Sequence, residues 1–136
     1  MKKKVLIACA VLFLLALVVS VLILHQGSGI KKNIELPDTK IVTVEVINGL
    51  TGETVIFSDF ESVIEIERII NQTEGELIDK TDHDRNGYLY HLKFMDDQGR
   101  MICEMTIPEY DRLDYEGQTY RINTEMIIAA LKGKTS

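Results

Sequence analysis

The sequence predicts an α+β fold, in which an N-terminal transmembrane helix precedes a small antiparallel sheet with helices on one face. Three observations predict it. Twenty uncharged residues, Val5 to Leu24, follow a basic start. Segments rich in β-branched residues are joined by short turns that contain Gly and Asp. Two further stretches carry apolar residues at helical spacing. The predicted order after the membrane helix is β-β-α-β-β-β-β-α.

The N-terminal apolar run has the length of a membrane span. A 20-residue helix is about 30 Å long, which matches the hydrocarbon core of a bilayer. Lys2, Lys3 and Lys4 precede the run and no charge interrupts it. Under the positive-inside rule the N-terminus stays cytoplasmic, and the remainder lies outside the cell membrane.

Three fates of this segment are open at this point. An uncleaved anchor is favoured, because a secretory signal usually has a shorter apolar region followed by a small-residue cleavage site. Gly27-Ser28-Gly29 is a poor cleavage candidate, although cleavage stays open. Leu6-Ile7-Ala8-Cys9 resembles a lipobox with Cys9 as the lipidated residue, but the apolar run continues well beyond it.

The charge distribution divides the chain into unlike parts. The whole chain has 15 basic and 21 acidic residues and a net charge of −6. The first 24 residues hold three lysines and no acid, which leaves residues 25–136 with a net charge of −9. We expect an anchor over 1–24, a linker over 25–38 and an extracytoplasmic domain over 39–136. So acidic a domain repels phosphate, which disfavours nucleic-acid binding.

The domain begins with a predicted hairpin and a helix. Ile41 to Ile47 alternates, with Val42, Val44 and Val46 on one face, and Thr54 to Phe57 returns as a second strand. Ser58 and Glu61 match a capping box before apolar residues at helical spacing. A helix is therefore predicted from Asp59 to about Asn71, with its apolar stripe on the valine face.

The second half of the domain is predicted to form two hairpins and a helix. Tyr88 to Met95 and Met101 to Ile107 flank a turn at 96–99. Arg112 to Tyr115 and Gln118 to Ile122 flank Glu116-Gly117. Asn123 or Thr124 then caps a helix to about Lys132, which Gly133 ends. Residues 72–87 are expected to be irregular.

The layout resembles an uncharacterised family of small Gram-positive extracytoplasmic proteins, either membrane-anchored or lipoprotein-like. Short features carry the resemblance over about residues 36–131: Leu36-Pro37, the strand at 41–47, the capped helix at 58–71, Lys80-Thr81 and Gly117-x-x-Tyr120-x-Ile122. Many members of that family resemble lipoproteins with a Cys at the end of the apolar run, a feature that this chain lacks. The resemblance implies no activity and no functional residues.

One polar turn matches the start of a calcium loop. Asp82, Asp84 and Asn86 occupy positions 1, 3 and 5, and Gly87 occupies position 6. Position 12 should be a bidentate Glu but is Lys93. A plain Asp-Asn-Gly turn is the favoured interpretation of the motif, because these residues favour turn geometry. Weak calcium binding is therefore an alternative, and no other cofactor is expected.

An acidic, tyrosine-rich segment is the candidate interaction surface. Aromatic side chains with a negative rim suit a protein contact or a basic ligand. The alternative is a pair of charged edge strands with half-buried tyrosines. The residues that we expect at such a surface are Tyr110, Asp111, Asp114, Tyr115 and Tyr120.

The sequence contains no catalytic pattern. It has no G-x-S-x-G elbow and no spacing typical of a zinc site. His83 and His91 are expected to be surface histidines, and Cys103 a small core residue. We therefore expect a protein that is not an enzyme.

The function that these observations predict is binding or interaction by a membrane-anchored extracytoplasmic domain. The membrane is contacted through residues 5–24, and an envelope or secreted protein is the expected partner. Two alternatives are a metal- or ligand-sensing module that uses the turn from Asp82 to Asn86, and an immunity or inhibitor protein against a toxin.

Overall fold

The computed structural model describes residues 1–25, 29–78 and 87–133, without the side chains of 23–25. In these residues three helices form: α1 (Lys2–His25), α2 (Phe60–Asn71) and α3 (Glu125–Lys132). Eight strands accompany them: β1 (Lys31–Asn33), β2 (Thr43–Asn48), β3 (Thr54–Phe57), β4 (Glu74–Ile78), β5 (Tyr90–Met95), β6 (Met101–Ile107), β7 (Arg112–Tyr115) and β8 (Gln118–Arg121).

The strands form one antiparallel sheet in the order β1-β4-β8-β7-β6-β5-β2-β3. The predicted α+β class is confirmed, and the six predicted strands are all present. Two strands, β1 and β4, were not predicted. They pair with each other and lengthen the sheet beyond β8.

The apolar alternation of the strands places one face of the sheet in the core. Val44 pairs with Phe94, and Val46 pairs with Leu92, and all four side chains are buried. Because paired residues in an antiparallel sheet share a face, Glu45 and Lys93 lie opposite each other on the other face. Lys93 Nζ lies 3.0 Å from Glu45 Oε1 there, so this face is polar, as predicted.

Helices α2 and α3 contact each other and complete the core. Helix α2 buries Val63, Ile66 and Ile70, and α3 buries Ile127 and Leu131, all in the same cluster as the strand residues. The predicted packing of the apolar stripe of α2 onto the valine face is therefore confirmed. Burial of this kind contributes about 25 cal/mol per Å² of apolar surface.

The N-terminal cap of α2 differs from the predicted capping box. Asp59, not Ser58, is the N-cap, with extended backbone angles and a carboxylate that accepts a hydrogen bond from Ser62 N at 2.9 Å. Asp is as effective a cap as Ser, and here it begins the helix one residue later. At α3, Asn123 Oδ1 accepts from Glu125 N, whereas the Thr124 hydroxyl donates to the Tyr110 carbonyl.

Part of the segment predicted as a linker over 25–38 packs against the domain. After β1, the chain over residues 34–42, here called the strap, runs past α2 to β2. Ile34, Leu36 and Ile41 are buried in the core. Leu36 N donates to Asn71 Oδ1 at 2.9 Å, at the last residue of α2. Buried apolar side chains, not flexibility, thus define this segment.

The strap crosses most of the sheet. Five strands separate β1 from β2 in the sheet order, so the strap joins strands near opposite edges of the sheet. Its hydrogen bonds and buried side chains hold it against the domain.

Strand β4 takes the place of the irregular stretch expected after α2. It pairs with β1 on one side and with β8 on the other. A Cβ at Gly75 would lie 2.9 Å from Ile122 Cγ2 and 3.0 Å from Tyr120 Cβ. Glycine lets β4 approach these side chains closely, although Gly and Glu are otherwise depleted in strands.

Helix α1 is long and apolar enough over Lys2–Leu22 to cross a membrane. No part of this span is buried against the rest of the chain, and its described side chains are exposed throughout. The core of the domain therefore forms without it.

Candidate functional site

The acidic, tyrosine-rich segment does not form one surface. Tyr110 lies between β6 and β7 with 66% of its side chain exposed. Tyr115 and Tyr120 are buried on the core side of the sheet. Asp114 lies on the opposite, polar face, where it accepts a hydrogen bond from Thr119 Oγ1 at 2.7 Å. Alternation along β7 turns Asp114 and Tyr115 to opposite faces of the sheet, although both line one shallow pocket at the end of β7.

Tyr115 and Tyr120 instead line a cleft of about 510 Å³ beside the start of the strap. Tyr115 Oη donates to the Glu35 carbonyl at 3.1 Å, and Tyr120 Oη donates to Gln118 Oε1 at 2.7 Å. Burial raises the pKa of the Tyr115 phenol above its ordinary value. Both hydroxyls are thus engaged within the chain, and that of Tyr115 helps to hold the strap in place.

Cys103 is half-buried in β6, as a small residue packed against the core. Burial raises the pKa of its thiol to about 11. At neutral pH the thiol is therefore protonated, and a protonated thiol is a poor nucleophile.

The calcium-like turn falls largely outside the described residues, which exclude Asp82, His83, Asp84 and Asn86. Gly87 is described, and its φ of +117° lies in the region that favours glycine. Within residues 1–25, 29–78 and 87–133, no three His, Cys, Asp or Glu side chains are grouped to hold a metal ion.

His91 lies on the polar face of the sheet, as predicted. Its Nδ1 is 2.9 Å from Thr106 Oγ1, and its Nε2 is 3.2 Å from Glu104 Oε2. Both partners are on β6, the strand paired with that of His91. Such cross-strand contacts stabilise a sheet surface, which is a structural role.

An apolar groove lies between the strap and α2, and it is here called the α2 groove. Lys40, Ile41 and Val42 form its strap wall, and Phe60 and Ile64 contribute the helix wall. Phe60 is 75% exposed and Ile64 is 42% exposed. The two side chains are four residues apart, so they lie one above the other on the same side of the helix.

The position of these two residues on α2 explains their exposure. The buried side of the helix is centred on Ser62, Ile66 and Ile70. At 100° per residue, Phe60 and Ile64 fall beyond the edge of that side. Both continue the apolar spacing of the helix, which by itself predicts a place in the core. The apolar residues of α2 extend around more of the helix than its buried side occupies. This width is the sequence signal that could have shown Phe60 and Ile64 to be exposed.

The α2 groove is lined by one carboxylate and one cation, and further acids lie on the same helix. Glu67 lines it, and its pKa is raised by burial. Glu61 and Glu65 are exposed on the same helix. The nearby cations are Lys40 on the strap wall and Arg68, the residue after Glu67. Arg68 Nη1 donates to Gln72 Oε1 at 3.2 Å. The helix wall therefore combines exposed apolar side chains with an excess of acids.

The volume of the α2 groove limits what fits it. It encloses about 240 Å³, less than the roughly 300–1,000 Å³ of typical small-molecule sites. A groove of this size accommodates one or two large side chains of a partner.

No protein-family model, curated protein or solved structure matches the chain. The resemblance to a Gram-positive family stays a prediction, and the function is inferred from geometry and charge.

Proposed function

We propose that the chain is a single-pass membrane protein with a cytoplasmic N-terminus and an extracytoplasmic domain that binds a protein partner. The observation that carries the proposal is helix α1, whose span buries none of its apolar surface within the chain. Leaving so much apolar surface in water is costly, whereas a bilayer removes it from water. The complete core of the domain supports an anchor rather than a core helix.

Charge supports the orientation. Three lysines precede the span, and residues 25–136 carry a net charge of −9. Basic residues are retained on the cytoplasmic side, whereas acidic ones have little influence on topology.

The surface of the domain supports binding rather than catalysis. Phe60 and Ile64 expose apolar surface beside an otherwise complete core. The thiol of Cys103 is protonated at neutral pH, and the hydroxyls of Tyr115 and Tyr120 are hydrogen-bonded within the chain. Exposed apolar residues with a polar rim are typical of protein-interaction surfaces.

Cysteine labelling in intact cells tests the topology. Lys3→Cys and Asp97→Cys place single accessible thiols before the span and at the exposed β5–β6 turn. A membrane-impermeant maleimide should label Asp97→Cys in intact cells and Lys3→Cys only after lysis. Labelling of both variants to the same extent in intact cells would contradict the topology. The unmodified chain measures the background from Cys9 and Cys103.

The mass of the mature chain separates an anchor from a cleaved signal or a lipoprotein. An anchor leaves the full-length mass in the membrane fraction after alkaline extraction. A mature chain that begins after residue 24, or a lipid adduct on Cys9, would refute the anchor.

A further inference from the structure

We propose that the α2 groove is the docking site for a cationic amphipathic peptide segment of a partner protein, with an apolar side chain inserted between the strap and α2. This inference rests on the proposed interaction function and deepens it by naming the chemistry of the partner. Its basis is that exposed apolar side chains and uncompensated acids occur together on one helix.

The apolar part of the groove requires an apolar anchor. Phe60 and Ile64 form one wall, and Ile41 and Val42 form the other, with Val63 beneath them. Large apolar side chains seated in a pocket of this kind contribute most of the binding energy of an interface. Since the groove admits only one or two side chains, the segment presents few anchors, as a helix does at positions i and i+4.

The charged residues of α2 determine the sign of the charge that we expect on the partner. Four acids lie on or at the start of α2, against two nearby cations, and the whole exported part is acidic. The acids are Asp59, Glu61, Glu65 and Glu67. Asp59 caps the helix, so the other three carboxylates are available to a partner, and of these Glu67 lines the groove itself. Basic side chains flanking the apolar anchor would pair with them and accelerate association.

The same charges disfavour the other occupants of an apolar groove. A second copy bound through the same face in a symmetric dimer would bring Glu61, Glu65 and Glu67 against their own counterparts. Like charges in such a contact are repulsive. An anionic lipid surface is repelled for the same reason.

The burial of Glu67 gives a further indication. Its carboxylate lines the groove and is partly removed from water, and burial raises its pKa. A cation bound beside it would compensate for this lost hydration. Lys40 lies on the strap wall of the same groove, so the cation of the partner is expected nearer to Glu67 than to Lys40.

Peptide cross-linking to the full chain in phosphatidylcholine nanodiscs tests the inference. The probes are three 14-residue peptides that carry one benzophenone: an amphipathic Leu/Lys helix, the same helix with Glu for Lys, and a Lys/Ser peptide without Leu. The Leu/Lys peptide should cross-link within residues 40–42 and 60–67. The other two peptides should react at least about tenfold less at the same concentration.

Variants identify the residues responsible. Phe60→Ala and Glu67→Gln should each reduce cross-linking by the Leu/Lys peptide, Phe60→Ala by about tenfold. Met126→Ala is the matched control for an exposed apolar residue, since Met126 on α3 is 63% exposed. Asp97→Asn is the control for the loss of one exposed acid. Equal effects of Phe60→Ala and Met126→Ala, or equal reaction of the Glu peptide, would overturn the proposal.

Two further measurements separate this inference from the proposed function. Sedimentation of the chain in nanodiscs reveals a second copy, and a dimer that Phe60→Ala abolishes would assign the groove to self-association. Photo-cross-linking in cells from a benzoylphenylalanine at position 60, compared with position 101, locates the partner. Products from position 101 alone would refute the groove but leave an interaction domain, whereas a basic apolar segment joined to position 60 supports both proposals.

Discussion

At the scale of single residues, Glu67 is held in an environment that favours its neutral form. Its pKa in the folded chain is raised by burial, so its charge destabilises the fold at neutral pH. The chain over residues 29–136 retains every core residue and serves for measurement. There, Glu67→Gln should raise the urea midpoint at pH 7, and this gain should shrink as the pH falls towards about 4.3, the ordinary pKa of Glu.

Glu65→Gln is the control for this prediction, because Glu65 is exposed on the same helix. Its effect on the midpoint should be small at both pH values. A stabilisation by Glu67→Gln that is independent of pH would show that lost charge is not the cause.

Cys103 provides a second test at this scale. Since its pKa is raised to about 11, the thiolate is scarce at pH 8. In the chain over 29–136 it is the one cysteine left, so its reaction with a disulfide reagent can be followed directly. We expect slow reaction in the folded chain and much faster reaction in denaturing urea. Equal rates would contradict the burial of the thiol.

At the scale of elements, the strap is the segment whose role changes most from the prediction. Leu36 is buried and its N–H is bound by Asn71, whereas Ile30 just before β1 is 86% exposed. Leu36→Ala should lower the free energy of unfolding by about 2–5 kcal/mol, the usual cost of a truncated core residue. Ile30→Ala should change it by less than about 0.5 kcal/mol. Urea denaturation of both variants measures these free energies. Equally small effects of the two substitutions would show that the strap does not stabilise the fold.

The elements that the sequence predicts are those whose own pattern carries the information. Strands β2 and β5 alternate, and α2 has a helical period, so each reveals its buried side locally. Strands β1 and β4 contain Lys31, Lys32, Glu74 and Gly75, which are poor strand formers. They form because β4 pairs with the edge of β8, and β1 then pairs with the free edge of β4. Such long-range pairing leaves no local signal.

The candidate site was missed for a related reason. Helical spacing alone assigns Phe60 and Ile64 to the core, and only the position of the sheet and strap shows that they lie beyond its edge. Conversely, Tyr110, Asp111, Asp114 and Tyr115 are close in sequence, whereas the alternation of β7 turns Asp114 and Tyr115 to opposite faces of the sheet. The sequence identifies the types of residue that suit a binding surface, whereas only the fold shows which of them lie together.

At the scale of the whole molecule, helix α1 and the domain are separable. The core begins at Ile34, and helix α1 contributes no buried residue to it in the described chain. A chain that begins at Gly29 should therefore be soluble and unfold cooperatively. A chain that begins at Thr39, the predicted domain boundary, loses Ile34 and Leu36 and should be strongly destabilised or unfolded.

Circular dichroism and amide hydrogen exchange of the two truncated chains check this expectation. Equal stability of the two would show that the strap contributes nothing to the fold. Aggregation of the chain from Gly29, despite an intact spectrum, would indicate an exposed surface that α1 normally protects.

The position of β1 in the sheet has a consequence for the order in which the domain assembles. Lys31 pairs with Glu76, and Glu76 pairs with Arg121, so β1 is linked through β4 to β8, the last of the described strands. Non-local pairing of this kind is slow, because a long loop must close before any contact forms. The strap is synthesised before the strands on which it packs, so its apolar side chains become buried only after those strands have formed.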